Sequence, residues 1–183
     1  PDARPFYSTI VVDRSTGERT ILSDAEGVLA PTPEDVCEER IRASRAMFVD
    51  HLGPEGVRRA CELARRHGVP TVADIERVVP GIEPVIELID HLIVPLRVAQ
   101  QLTSETAPAA AVKKLARTSR ACTAATDGIR GCWFVEEGRS EIGHQPAFEV
   151  EAVDTTGCGD VFHGAYAAAI VWGRPIAEAM RFA

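Results

Sequence analysis

Short apolar runs alternate with amphipathic stretches along most of the chain. Apolar, β-branched runs predict strands at residues 8–12, 19–22, 46–49, 69–73, 91–94, 121–126, 131–136 and 147–153. Helical spacing of apolar positions predicts helices at residues 54–67, 82–89, 107–116 and 157–172, with others beginning at Pro33 and Pro175. Alternating strands and helices favour βαβ units, so we predict an α/β fold with a mainly parallel sheet covered by helices.

The two ends of the chain indicate a piece of a longer polypeptide. The chain starts at Pro1 without a Met and stops at Ala183, inside the helix predicted from Pro175. Helices rarely end on an uncapped apolar run. We therefore expect one partial domain, in which residues 1–23 form a hairpin at a sheet edge or lid and residues 24–183 form the α/β core.

Composition narrows the class of protein. With 20 Lys and Arg against 27 Asp and Glu, the net charge is −7, which disfavours nucleic acid as a partner. Apolar runs are far shorter than the roughly 20 residues that span a bilayer, so no membrane partner is expected. The cysteines form no C-x-x-C pair, which favours free thiols in a reducing cytoplasm; they are Cys37, Cys61, Cys122, Cys132 and Cys158.

A Gly-rich turn before the helix at residues 157–172 carries the most informative chemistry. Gly157 and Gly159 allow the backbone to bend sharply and to approach a ligand. The first amides of the helix and its dipole form an anion site. Asp160 lies in the first helical turn, where a carboxylate would repel an anion. Its presence indicates proton abstraction from a hydroxyl that attacks phosphorus.

Two other phosphate-binding motifs are excluded. The chain has no G-x-x-x-x-G-K-[ST] sequence, and Phe162 occupies the position of the third glycine of a dinucleotide fingerprint. On the glycines alone, an ordinary strand-to-helix turn with a Thr or Asp cap explains the segment equally well.

The full string D-T-T-G-C-G-D at residues 154–160 resembles the D-T-x-G-A-G-D signature of the PfkB/ribokinase family of carbohydrate kinases. The following V-F-H-G-A also suits that family. The resemblance implies a three-layer ribokinase-like fold and ATP-dependent phosphorylation of a sugar or sugar-like alcohol. It implies Asp160 as the catalytic base. The backbone amides of Gly157, Cys158 and Gly159 would form the anion hole, meaning the donors that surround the transferred phosphoryl group.

The resemblance implies two further sites. Asp154, with the carbonyl of Thr156, matches a region that holds a monovalent cation such as K⁺ in some members. T-D-G-I-R-G at residues 126–131 resembles the family's T-x-G-x-x-G segment, so Thr126 and Gly128 are expected to contact the nucleotide. A plain hairpin turn explains this second segment equally well. Residues 8–22 also resemble the family's early strand pair.

The chain departs from the family pattern at one motif and in its length. Residues 94–101 contain neither the Asn nor the Glu of the N-x-x-E motif that helps to organise Mg²⁺. Mg²⁺ is still expected with ATP. Either other groups hold the metal ion through water, or the enzyme turns over more slowly than family members that have the motif. Because family members are longer, we expect sugar recognition outside this chain and assign no substrate or metal ligand within it.

Other interpretations stay open. A nucleoside kinase of the same superfamily and a non-catalytic kinase-like protein that binds nucleotide or sugar both fit the residues. A homodimer is a further open alternative. The histidines show no metal-binding spacing; they are His51, His67, His91, His144 and His163. His163 lies one turn after Asp160 and is expected to be a packing or surface residue, with contact to sugar or phosphate as the alternative.

Overall fold

A computed structural model describes residues 4–13, 19–152 and 154–183. Its first element is an antiparallel hairpin of β1 (Tyr7–Val12) and β2 (Arg19–Asp24). Every residue of both strands is exposed. The hairpin was predicted from its β-branched residues, whereas residues 14–18 of the predicted turn lie outside the described part of the chain.

A second sheet of six strands runs in the order β3-β4-β5-β6-β7-β8. Strands β3 to β6 pair in parallel, and β7 and β8 join as antiparallel strands. The strands are β3 (Met47–Val49), β4 (Thr71–Asp74), β5 (His91–Pro95), β6 (Cys122–Thr126), β7 (Cys132–Glu136) and β8 (Gly143–Gln145). The continuous burial of β4 and most of β5 is typical of parallel strands covered on both faces.

Helices cover both faces of this sheet. They are α1 (Glu38–Arg42), α2 (Pro54–His67), α3 (Glu83–Ile86), α4 (Leu96–Thr103), α5 (Pro108–Leu115), α6 (Cys158–Val171) and α7 (Ile176–Phe182). Helix α2 has the predicted bounds, because Pro54 favours the first helical position and Gly68 follows the last turn with φ +65°.

The two layers of helices pack against alternate residues of the strands. Ala73 and Leu92 face the core formed with α2, α3, α4 and α5, whereas their neighbours Val72 and Ile93 face α6 and α7. This arrangement confirms the predicted three-layer α/β/α fold with a mainly parallel sheet. No helix within the described residues is long and apolar enough to cross a membrane.

Two predicted elements differ from the structure, and the structure adds strand β8 and helix α4, which were not predicted. The predicted strand at residues 147–153 is wrong for residues 147–152, where Phe148 and Val150 are exposed and pair with no strand among the described residues; Val153 is not among them. Strand β8 instead pairs with β7. The helix expected from Pro33 is a single 3-10 turn, Pro33–Asp35, followed by α1.

The carboxyl ends of the parallel strands meet at one edge of the sheet. Asp74 ends β4, Pro95 ends β5 and Thr126 ends β6. Open α/β sheets bind ligands beyond this edge. The edge is therefore the place at which the sequence motifs must meet if they form one site.

Candidate functional site

The Gly-rich turn leads directly into α6. Gly157 immediately precedes the helix with φ +77°, a left-handed conformation that favours glycine. Cys158, Gly159 and Asp160 are the first residues of α6, where backbone amides have no carbonyl partner one turn earlier. The Cys158 amide donates a 3.3 Å hydrogen bond to the Thr155 carbonyl, so this predicted member of the anion hole already has an acceptor.

Only one of the two glycines is required for the bend. Gly159 lies outside the positive-φ residues, which corrects the expectation that both glycines bend the chain. Beyond its own helical turn, a Cβ atom added at Gly159 would meet no atom of the described residues within 4 Å. Gly159 therefore leaves open space beside the first turn of α6, where a ligand could approach the backbone.

Asp160 is exposed in the first turn of α6. A carboxylate at this end of a helix is stabilised by the helix dipole. The structure thus places an accessible negative group beside amides that favour negative ligands. This is the juxtaposition that the sequence pattern predicted.

Asp154, three residues before Gly157, is held by local hydrogen bonds. The Asp154 carboxylate accepts the Thr156 amide at 2.8 Å. Hydrogen bonds from the Thr156 amide and hydroxyl, with the nearby charge of Arg19, hold the pKa of Asp154 below its usual value. An ionised carboxylate supplies oxygen ligands of the kind that hard cations bind. Asp154 therefore suits a cation, and the monovalent cation expected at Asp154 and Thr156 stays a prediction.

Sequence reasoning missed a link between the hairpin and this turn. The Arg19 guanidinium at the start of β2 donates to the Thr155 carbonyl at 2.8 Å and to its hydroxyl at 2.7 Å. No sequence signal could have identified this contact, because the two residues are 136 positions apart. The hairpin is therefore tied to the turn that precedes Asp160.

A groove lies at the ends of β5 and β6, with a volume of about 540 Å³. Its lining includes both predicted nucleotide contacts, Thr126 and Gly128, together with Arg97 and Arg130. Arg130 forms an ion pair with Asp127 at 2.6 Å. The two arginines were missed because neither belongs to the motif pattern. We call this feature the β5–β6 groove.

The hairpin interpretation of residues 126–131 is correct, because this segment connects the antiparallel strands β6 and β7; the nucleotide contacts of Thr126 and Gly128 stay a prediction. Gly131 has φ +83°, and a Cβ atom there would overlap the carbonyl oxygen of Gln145. The second glycine of the motif is thus required by close packing against β8. The first, Gly128, has φ +54° and open space around it.

The residues at the position of the missing N-x-x-E motif do not fit a metal site. Pro95 ends β5, and Val98 of α4 is buried in the core. Among the described residues, no group of three or more His, Cys, Asp or Glu side chains could hold a metal ion. Side chains of the described residues therefore provide no cluster of ligands for Mg²⁺.

Comparison with known proteins identifies the family and the fold. The model of the pfkB family carbohydrate kinases matches residues 1–183. The chain belongs to this family. Ribokinase from Schizosaccharomyces pombe is 28% identical over 184 residues, which cover 95% of this chain and 58% of that protein. This pfkB family chain therefore spans less than two thirds of that relative.

Solved structures show the same fold. The structure of Arabidopsis thaliana ribokinase complexed with ribose and ATP matches with a TM-score of 0.78 and 21% identity, over 96% of this chain and 59% of that one. Adenosine kinase from Sinorhizobium meliloti matches with a TM-score of 0.81 and 21% identity, over 97% of this chain and 57% of that one. The fold of this pfkB family chain is therefore ribokinase-like.

Proposed function

We propose that the full-length protein carrying this chain is an ATP-dependent kinase that phosphorylates a hydroxyl of a sugar or sugar-like alcohol. The observation that carries the proposal is the exposed Asp160 carboxylate in the first turn of α6, beside helix-terminal amides. A binding protein gains nothing from a carboxylate that repels its anionic ligand. A kinase needs both groups, one for the proton and one for the phosphoryl charge.

In the proposed reaction, Asp160 accepts the proton of the acceptor hydroxyl as its oxygen attacks the γ-phosphorus of ATP. A bond forms between the acceptor oxygen and phosphorus, and the bond between the γ-phosphorus and the β–γ bridging oxygen breaks. ADP leaves with that bridging oxygen. Such transition states are loose, so positioning and charge stabilisation supply most of the catalysis.

The other site residues have supporting roles in the proposal. The amides of Gly157 and Gly159 stabilise charge on the transferred phosphoryl group, and the amide of Cys158 joins them only by giving up its hydrogen bond to the Thr155 carbonyl. Thr126 and Gly128 contact the nucleotide in the β5–β6 groove, where the guanidinium of Arg97 can attract phosphate and that of Arg130 is paired with Asp127. Mg²⁺ would enter with ATP, since the described side chains offer no cluster for it. Asp154 and Thr156 would hold the monovalent cation.

Two observations bear on the choice of acceptor. Sugar is favoured because the curated relatives include a ribokinase matched over 95% of this chain. A nucleoside acceptor remains the second candidate, and the likeness to an adenosine kinase at 21% identity supports the shared fold alone. The buried Val98 at the missing motif favours a third candidate, a protein that binds nucleotide or sugar without turnover.

The cysteines support a cytoplasmic location. All five are free, and Cys61, Cys122 and Cys132 are buried. Burial raises the pKa of each buried thiol, to about 12 for Cys61 and Cys122 and to about 11 for Cys132. Protonated, buried thiols are unreactive, as expected for a protein that forms no structural disulfide.

The deciding experiment is a phosphorylation assay of the full-length protein with ATP against a panel of sugars and nucleosides. We expect saturable ADP release with at least one sugar and a phosphorylated product identified by mass spectrometry. Exclusive use of nucleosides would select the second candidate. Binding of ATP by calorimetry without ADP release from any acceptor would select the third and reject the kinase.

A further inference from the structure

Beneath the first turn of α6, one ionisable side chain is buried at the boundary between the helix and the sheet. His163 lies one turn after Asp160 and is only 2% exposed. The rings of Phe48 and Phe162 approach it edge-on, with centroid distances of 6.1 and 5.9 Å. The packing interpretation of this histidine is therefore correct. The ring nitrogens of His163 also have polar partners, which packing alone does not require.

Both ring nitrogens of His163 lie beside carbonyl oxygens. Nδ1 is 2.7 Å from the carbonyl oxygen of Gly159, and Nε2 is 3.2 Å from that of Ile93 in β5. A carbonyl oxygen can only accept a hydrogen bond, so each nitrogen has to donate. Neutral imidazole carries a proton on one nitrogen only. The doubly protonated, positively charged ring satisfies both contacts.

A carboxylate stands beside this ring. Asp74 Oδ2, at the end of β4, is 3.4 Å from His163 Nδ1, and the Asp74 side chain is 10% exposed. Burial raises the pKa of Asp74, and the adjacent His163 opposes that rise. The other charged groups that act on Asp74 are Glu76 after β4, His51 after β3 and Asp160 on α6. The carboxylate therefore lies within the electrostatic reach of the proposed base.

We propose that His163 is a cationic positioning residue, which ties the Gly159–Asp160 turn to β4 and β5 and favours the ionised form of Asp160. Residues three apart on a helix are neighbours, about 5–6 Å between Cβ atoms. A positive charge on a neighbouring side chain of the same helical turn stabilises a carboxylate. The effect of His163 on catalysis rests on the proposed function. The protonation state of His163 is independent of it.

The first test needs no enzymatic activity. Imidazole ¹⁵N NMR of the full-length protein, labelled in histidine, is recorded at neutral pH, and His163 is assigned by the signals missing from His163→Asn. We expect both ring nitrogens of His163 to carry protons. A spectrum in which one ring nitrogen is unprotonated would overturn the proposal, whether or not the protein proves to be a kinase.

The second test is the pH dependence of kcat. Asp160 must be ionised to accept a proton, so kcat falls on the acidic side. His163→Asn removes the positive charge, and we expect the acidic limb to move to higher pH by about 1 unit, the low end for a nearby charge. At pH values below the acidic limb, the variant should then lose nearly tenfold in kcat. At the higher pH values where kcat is constant, it should lose nothing. An equal loss at every pH would indicate a structural role and reject the proposal.

A matched control is available in α2. His67 pairs with Glu38 at 2.7 Å, away from Gly159 and Asp160. His67→Asn should leave the acidic limb unchanged. A shift in this control as large as that of His163→Asn would also overturn the proposal. If Asp160→Asn retains turnover, the proposed function fails separately, and the NMR result still decides the charge of His163.

Discussion

The turn that carries Asp160 and the β5–β6 groove, which we propose to act together, are built differently. Residues 154–160 are consecutive, and Gly157 sets the direction of α6 through one left-handed residue. The groove draws its lining from the start of α4 and from the link between β6 and β7. The consecutive residues 154–160 therefore determine which chemical groups the turn presents. The lining of the β5–β6 groove, in contrast, comes together only when the chain has folded.

Substitutions in the two regions are therefore expected to change different kinetic constants. Substitutions in the turn should lower kcat, since the reacting groups are proposed to meet there. Changes in the groove should act on the KM for ATP, since its residues are proposed to contact the nucleotide without touching the transferred proton. Kinetics of the full-length protein can separate these two effects.

The largest effect is expected for Asp160→Asn. The amide keeps the shape of the side chain but cannot accept the proton, so kcat should fall at least about 100-fold, the low end for a general base. ATP affinity, measured by calorimetry, should change little. Glu151→Gln, at an exposed acidic residue before the turn, is the matched control and should retain full activity. Near-normal turnover of Asp160→Asn would remove this residue from the role of base.

A smaller loss of activity, which affects both nucleotide binding and rate, is expected for Gly159→Val. The residue has ordinary helical φ and open space around it, so the fold should persist. The branched side chain would occupy the space through which phosphate approaches, and kcat/KM for ATP should fall by about tenfold or more, equivalent to about 1.4 kcal/mol. Gly159→Ala, which adds one methyl group, should lose less. Unchanged kinetics in a folded valine variant would show that phosphate does not bind here.

The groove is tested by Thr126→Val, which removes a hydroxyl while keeping the shape of the side chain. Loss of one hydrogen bond to the nucleotide should raise the KM for ATP about three- to tenfold, with kcat nearly unchanged. The exposed Thr118 provides the control, since its replacement by Val should leave both constants unaltered. A fall in kcat with constant KM would contradict the assignment of Thr126 to nucleotide binding.

The smallest effect is expected for Arg19→Met. Its two hydrogen bonds to Thr155 are exposed, so the loss should be about two- to fivefold in kcat, corresponding to less than about 1 kcal/mol. The effect should weaken in high salt because exposed charges are screened. Arg40→Met, at an exposed arginine of α1, is the control. If both variants behave alike, the contact between hairpin and turn has no part in turnover.

Much of the fold follows from local sequence. The bounds of α2 were predictable because Pro54 and Gly68 favour its two ends. The strand predicted at residues 147–153 failed because apolar β-branched residues also occur in exposed loops, and Phe148 and Val150 have no partner strand. Helix α4 was not predicted, because it begins at Leu96 directly after the end of β5 at Pro95, and no loop residue marks the change from strand to helix.

By itself the sequence determined the chemical identity of the turn, because a carboxylate, a left-handed glycine and a helix start are properties of neighbouring residues. Tertiary structure alone decided which distant groups meet there. The Arg19–Thr155 contact and the His163–Asp74 pair join residues far apart in the chain. The buried Arg120 likewise donates to the carbonyls of Ile86, Ile89 and Leu115. Such contacts depend on which strands and helices pack together, and buried polar groups satisfy their hydrogen bonds only after that packing is complete.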